Sequence, residues 1–494
     1  MPHLAVIRGA GATVRLDPSV KTPIRAGFMA AAHAFSETSP TAAVAASRRD
    51  ELAALLRLAL PLAGANLVQM GVFASDVMFI ARLGPHALAA ASLATGMMGL
   101  LVWSGSGLIA LAPLVAAELG RRAHAVREVR RTTRMALWIA LALGLVLGLM
   151  LQFAAPFLAA TGQPAVLVKT SSRFVALLGL VALPMLVAGT LRAFVSALDR
   201  AAYATWINVL ALATNVLGNW CLVFGHGPFP ALGLTGSALA SLVTAWTMVL
   251  AYVVVIARDR RLRRYRIWGR VWRAEARRLR DILALGLPTA LTILGEAGLF
   301  SGAGLLIGRI DEVQLAGHAV ALQVAALMFQ VPAAVGQAAT IRVGYAYGAR
   351  DPVAAGRAGS LAIVAGLGFS VASALLLVLA PHAIVGVYVV VSDPANAAAV
   401  RYAVSFLAVA AAFQLVDGLQ TIAAGSLRGL QDARVPMVIA LVGYWLPGLG
   451  TAIALGFRTP LQGLGVWIGL AVGLTVVASL MCRRWLRRGV LGLV

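Results

Sequence analysis

The sequence predicts an all-α integral membrane protein: twelve transmembrane helices in two six-helix bundles, related by a pseudo-two-fold axis along the membrane normal. Three observations carry the prediction. Of 494 residues, 61% are hydrophobic and only 12% charged, about half the charged share of a soluble domain, and mean hydropathy is +0.89. Apolar runs of about 20 residues, enough to cross a bilayer core, recur along the chain. Basic residues concentrate in alternate connecting segments. These features exclude an ordinary soluble enzyme, a disordered chain and a disulfide scaffold. The two cysteines, Cys221 and Cys482, both lie in apolar runs, with no CxxC or zinc-site spacing.

Taken in order, residues 1–50 read as an N-terminal cytoplasmic tail. They scatter Arg, Pro and Ser without the charged, apolar and cleavage regions of a signal peptide, and Met29 is an alternative start. The apolar runs fall near 58–80, 88–115, 135–155, 174–197, 203–224 and 232–257, which make an N-terminal lobe over 51–257. A basic linker follows at 258–281. The remaining runs, near 282–307, 314–341, 358–380, 402–424, 435–456 and 461–482, make a C-terminal lobe over 282–482. A basic tail closes the chain at 483–494. With both termini cytoplasmic, the inward segments hold 28 Arg, eleven of them between Arg258 and Arg280, against six basic residues outside. This is the positive-inside pattern. It places the protein in a cytoplasmic membrane, bacterial by its Arg- and Ala-rich, Lys-poor composition. It also accounts for the net charge of +23 without nucleic acid.

The halves repeat. Leu58-Ala-Leu-Pro61 resembles Leu285-Gly-Leu-Pro288, and Ile80-Ala-Arg82 resembles Ile307-Gly-Arg309. Ala197-Leu-Asp-Arg200 resembles Gly429-Leu-Gln-Asp432. Because six is even, both halves enter the membrane in the same direction, the parallel repeat of many secondary transporters.

Only three of the 18 acidic residues lie inside apolar runs: Asp76 in span 1, Glu296 in span 7 and Asp417 in span 10. Charge at mid-bilayer is expensive, and no basic residue stands deep enough in its run to be an evident partner. Such acids take a proton, bind a cation, or stay neutral for packing. Polar neighbours accompany them. Gln69 precedes Asp76 by seven residues. Asn208, Asn215 and Asn219 share a stripe of span 5, Gln323, Gln330 and Gln337 repeat every seven residues in span 8, and Gln420 follows Asp417 by three. Amide oxygens suit a hard cation or a neutral acid, and interhelical bonding alone is the alternative. The segment around Glu296 is rich in glycine (Gly295, Gly298, Gly302, Gly304).

These residues resemble the multidrug and toxic compound extrusion family, in its NorM-like branch, over residues 51–482. Asp417-Gly-Leu-Gln420 through Gly425-Ser-Leu-Arg428-Gly429 resembles its span-10 signature. Gly286-Leu-Pro288 with Glu296, Arg342-Val-Gly344 leading to Gly348, and Asn215-Val-Leu-Gly-Asn219-Trp220 resemble those of spans 7, 8 and 5. The resemblance implies an antiporter that exports varied, often cationic, organic compounds in exchange for inward Na+ or H+. It implies cation coupling at Glu296 and Asp417, and at Asp76 with Asn215 and Asn219. Gln69, Gln323, Gln330 and Gln420 are the candidate polar residues of the substrate cavity. Some sodium-coupled members carry Tyr four residues before the span-10 acid, where this chain has Phe413. The expected partners are the bilayer and small organic cations, with no cofactor, no tightly bound metal beyond a transient Na+, and a functional monomer. Two alternatives stand beside this. A lipid-linked oligosaccharide flippase would want arginine in its cavity. An integral-membrane enzyme would want a catalytic motif, and none is apparent.

Overall fold

The computed structural model describes residues 47–160, 165–269 and 273–494. Among them are twelve helices long and apolar enough to cross a membrane, and no strand. Spans 1–6 are Arg48–Ala81, Pro85–Arg121, Ala125–Gln152, Ala165–Ala197, Ala202–Phe224 and Leu234–Arg258. Spans 7–12 are Ala276–Ile310, Glu312–Gly348, Pro352–Leu379, Pro394–Gly429, Arg434–Arg458 and Gly463–Leu486.

Several helices overrun their apolar runs because their ends are satisfied by polar groups rather than lipid. Span 1 starts at Arg48, inside the segment assigned to the tail. Ser47 caps it by accepting from the Asp50 amide at 3.1 Å, with Asp50 and Glu51 in the first turn. An oxygen cap and early acids suit the positive end of a helix. Asp311 caps span 8 and Asp351 caps span 9 in the same way. The rest of the proposed tail, residues 1–46, lies outside the described residues, as do 270–272 of the linker.

Each lobe packs around its fourth helix. Span 4 lies against spans 2, 3 and 6, and span 10 against spans 8, 9 and 12. Spans 1 and 5 pair in one lobe as spans 7 and 11 do in the other. The N-terminal lobe has its apolar core among residues such as Leu137, Leu191, Phe194 and Tyr252. The C-terminal lobe has its own around Phe406, Leu407, Trp467 and Leu470. The same partners recurring at the same ordinal positions give the pseudo-two-fold its physical content.

The lobes join through two matching contacts, span 1 with span 8 and span 2 with span 7, plus span 2 with span 8. The junction lies in the halves of these helices nearest residues 48, 121, 276 and 348, the Arg-rich end. There, Leu55, Leu58 and Leu62 of span 1 share a buried apolar cluster with Ala334, Val335 and Ala338 of span 8. Small residues permit the approach. A Cβ on Gly348 would overlap the Ala117 backbone, and one on Gly286 would overlap Leu108, the close packing that small residues allow in lipid. Nearly every residue of span 8 from Pro332 to Ala346 is buried, whereas its other half alternates with exposed positions. The cleft between the lobes is thus sealed at the Arg-rich end.

Candidate functional site

Span 5 is tied to span 1 along a polar stripe. Thr205 Oγ1 donates to the Pro61 carbonyl at 2.6 Å and Asn208 Nδ2 to the Ala65 carbonyl at 2.6 Å. Further along the same face, Asp76 Oδ1 accepts from Asn215 Nδ2 at 2.9 Å and Asn219 Nδ2 at 2.7 Å. Its Oδ2 accepts from Ser241 Oγ of span 6 at 3.0 Å. The structure therefore brings Asp76, Asn215 and Asn219 together and adds Ser241, a residue with no distinguishing mark in the sequence. All three donors are neutral, so they orient the carboxylate without cancelling its charge. Asn219 Oδ1 is buried without a partner and stands as a second oxygen beside the acid.

In the C-terminal lobe, Glu296 and Asp417 are electrostatic neighbours on spans 7 and 10. Asp417 is 3% exposed and its Oδ1 is buried without a partner, as is Oε1 of Gln420, one turn on. Phe413, where a hydroxyl was expected from some relatives, packs edge-on against Phe300 and Trp467, with centroids 5.8 and 6.0 Å away. A hydroxyl comes instead from span 11. Tyr444 is fully buried, neighbours both acids electrostatically and lies within hydrogen-bonding reach of Gln420. It opens a single π-helical turn, Tyr444–Gly448, which contains Pro447. Such turns insert an extra residue and re-aim side chains, often at functional sites. The signal in the sequence was a Tyr between Gly443 and Pro447 in an apolar run.

Arg428 overturns the expectation that no basic residue lies deep enough to partner an interior acid, and Arg192 is interior as well but bonds to neutral amides. Arg192 and Arg428 had been assigned to cytoplasmic loops. They lie on helices of spans 4 and 10, and Arg428 is an electrostatic neighbour of Glu296. Long side chains carry their charge well beyond their own Cα position, which counting along apolar runs does not register. The missed signal was a repeat, Ala188-Gly-Thr-Leu-Arg192 and Ala424-Gly-Ser-Leu-Arg428. In both copies the hydroxyl bonds back along its helix, Thr190 to the Leu186 carbonyl and Ser426 to that of Ile422. The deep residues are consequently of both signs, and arginine in the interior no longer separates the transport alternatives.

The remaining amides have varied surroundings. Gln69 is half-buried on span 1, seven residues past Leu62 of the seal, and Gln323 is exposed on span 8. Gln330 donates to its own helix at Ala326, and its carbonyl accepts from Asn66 Nδ2 across the lobe boundary at 3.3 Å.

The Arg-rich end carries ion pairs between lobes. Arg342 of span 8 grips Glu51 of span 1 through two bonds of 2.8 and 2.6 Å, both side chains buried. Arg278 of span 7 binds Glu118 of span 2 at 2.5 Å and also Glu128 of span 3. Glu51, Glu118 and Arg342 fall outside the apolar runs of the sequence. They are nonetheless buried members of helices. Near them, in the turn between spans 4 and 5, burial pushes the Asp199 carboxyl above its usual range while Arg342 and Arg200 oppose the shift. A cavity of about 470 Å³ lies beneath, lined by Glu118, Arg121, Arg278, Asp281, Asp432 and Arg434.

A two-lobed bundle of twelve apolar helices, with interior acids in each lobe, has the architecture of a membrane transporter. The MatE family model matches residues 61–221 and 288–453, one segment in each lobe. The chain belongs to the MatE family. It is 42% identical to a probable multidrug resistance protein NorM of Mesorhizobium japonicum over 441 residues, which are 89% of this chain and 94% of that one. It is 38% identical to the multidrug resistance protein NorM of Burkholderia vietnamiensis, over 87% and 92%. Among solved structures it is similar to the eukaryotic MATE transporter AtDTX14, with a TM-score of 0.79 at 21% identity, covering 90% of this chain and all of that one.

Proposed function

We propose that this protein is a secondary active antiporter of a bacterial cytoplasmic membrane. It exports varied, often cationic, organic compounds in exchange for inward Na+ or H+ by alternating access of its two lobes. The observation that carries this is the pair of acid sites inside the bundle, Asp76 among neutral donors in one lobe and Glu296 with Asp417 in the other. The family and the names of its full-length relatives support the same direction.

With the Arg-rich end and both termini cytoplasmic, the state described here faces outward. A proton or Na+ entering from outside neutralises the buried acids. It thereby alters the relative stability of the two lobe arrangements and weakens the hold on a cationic substrate. The substrate leaves outward, the cytoplasmic pairs part, and the cation leaves inward. For a transient Na+, Asn215, Asn219 and Ser241 offer oxygens beside Asp76. Tyr444 offers beside Glu296 and Asp417 the hydroxyl that Phe413 lacks. Gln69, Gln330 and Gln420 contribute polar groups to the cavity wall. The protein works as a monomer, without cofactor, covalent catalysis or nucleic acid.

The test is drug efflux from proteoliposomes under separately imposed proton and sodium gradients. Efflux driven by at least one gradient is expected. Equal efflux with both gradients collapsed would overturn cation coupling. Flipping of a lipid-linked sugar in its place would favour the flippase.

A further inference from the structure

Arg192 stands at the floor of the cleft, where spans 1, 4 and 8 meet. Its Nη2 donates to Asn66 Oδ1 of span 1 at 2.5 Å and to Gln337 Oε1 of span 8, in the opposite lobe, at 3.2 Å. Asn66 in turn reaches the Gln330 carbonyl. Both acceptors are neutral amides, and no ion pair among the described residues includes Arg192. On its Arg-rich side lies the apolar seal of Leu55, Leu58, Leu62, Val335 and Ala338. Toward the other end, span 1 carries Gln69 and Asp76.

The internal repeat explains how this cation comes to stand alone. Its mate Arg428 has Glu296 as an electrostatic neighbour. Aligning Pro61 with Pro288 sets Gln69 where the C-terminal lobe has Glu296. The N-terminal lobe thus has the arginine without the acid, and Arg192 turns across the lobe boundary instead. A neutral amide could make the same two bonds with far less desolvation cost, so retaining a full charge there points to a use for the charge itself.

We propose that Arg192 is an electrostatic barrier that prevents cations from leaking through the closed floor of the cleft. A cation that reaches the level of the acids must pass a guanidinium with no counter-ion before it meets the apolar seal. At 4 Å and an effective dielectric of 20, two like unit charges repel enough to slow passage roughly a thousand-fold. The bond to Gln337 spans the two lobes, so the barrier is assembled when they close at this end and dismantled when they part. Cation entry to the cytoplasm is then confined to the lobe movement that also carries substrate. This rests on the antiport reading above.

The experiment measures drug-free fluxes of sodium, protons and chloride in proteoliposomes bearing the full chain. In Arg192→Gln the cation leak should rise at least ten-fold with chloride flux unchanged, whereas Arg192→Lys should stay close to the parent. Gln337→Glu keeps the arginine but sets a carboxylate against it, and should leak cations as Arg192→Gln does, which covers the case in which Arg192→Gln does not fold. The proposal is overturned if Gln337→Glu is as tight as the parent, if Arg192→Lys leaks as much as Arg192→Gln, or if chloride leaks in step with sodium, the mark of a mechanical hole. Because no drug is present, a parent protein that exports nothing would sink the transport function separately.

Discussion

At the scale of single residues, the proposed coupling rests on the interior acids and on the groups that face them. Asp417→Asn and Glu296→Gln should each lower cation-driven efflux at least ten-fold with insertion retained, measured in proteoliposomes, and full activity in both would refute their assignment. Asn219→Ala removes one of two donors to Asp76 Oδ1. An interhelical hydrogen bond in a membrane averages about 0.6 kcal/mol, so the cation affinity should change about three-fold, read from the cation dependence of transport. Tyr444→Phe removes a buried hydroxyl that lies beside both acids and within reach of Gln420. Its loss should lower stability by no more than about 1 kcal/mol, the worth of one neutral hydrogen bond. Cation affinity should fall several-fold if that oxygen serves the site. Thermal melting with and without Na+ separates the two effects. The acids were legible in the sequence because a charge in an apolar run stands out. Ser241, Tyr444 and the reach of Arg428 were not, because their relevance lies in which helix they face.

At the scale of elements, the helices follow from apolar length, and their irregularities follow from packing. Span 2 breaks at Ile109 and Ala110, both outside helical geometry, beside the point where Gly107 and Gly286 let spans 2 and 7 touch. Span 11 adopts its π-turn where Pro447 cannot donate a backbone hydrogen bond. The apolar runs located all twelve spans but placed several of their ends short, as at the starts of spans 1, 3 and 4. Charged helix ends such as Arg48–Glu51 extend past the hydrocarbon and are held by caps and ion pairs. The glycines of span 8 are a second case. Their presence was visible, yet only the contact of Gly348 with Ala117 assigns them to the lobe boundary. Gly348→Leu should wedge spans 2 and 8 apart at the Arg-rich end. Cysteine labelling from the cytoplasmic side should then rise along spans 2 and 8 while labelling in spans 5 and 6 stays constant.

At the scale of the molecule, the two lobes are held by a seal and its ion pairs, and in the proposed exchange between two lobe arrangements the balance depends on them. Removing one member of a buried pair costs about 3 kcal/mol or more, and the cost falls only on the state in which the pair is buried. Glu51→Gln should therefore shift the population roughly a hundred-fold toward the arrangement open at the Arg-rich end. Spin-label distances between spans 1 and 8 check this: they should lengthen at that end and shorten at the other. An unchanged distribution would mean that the apolar seal alone sets the balance.

The sequence by itself determined the membrane environment, the twelve spans, their halves and the three interior acids. Each of these depends on local composition: apolar length, charge between runs, and the cost of a carboxylate in lipid. The tertiary structure alone decided which acids have neutral donors and which have an arginine nearby, where the lobes touch, and that Arg192 bridges them without a counter-ion. Those properties depend on which helix faces stand together, and residues 126 to 291 positions apart in the chain meet there. The apolar sequence of a membrane helix does not encode its partner, since lipid and a neighbouring helix are nearly equivalent surroundings for Leu, Val and Ala. Polar contacts and glycine-permitted approaches choose between them.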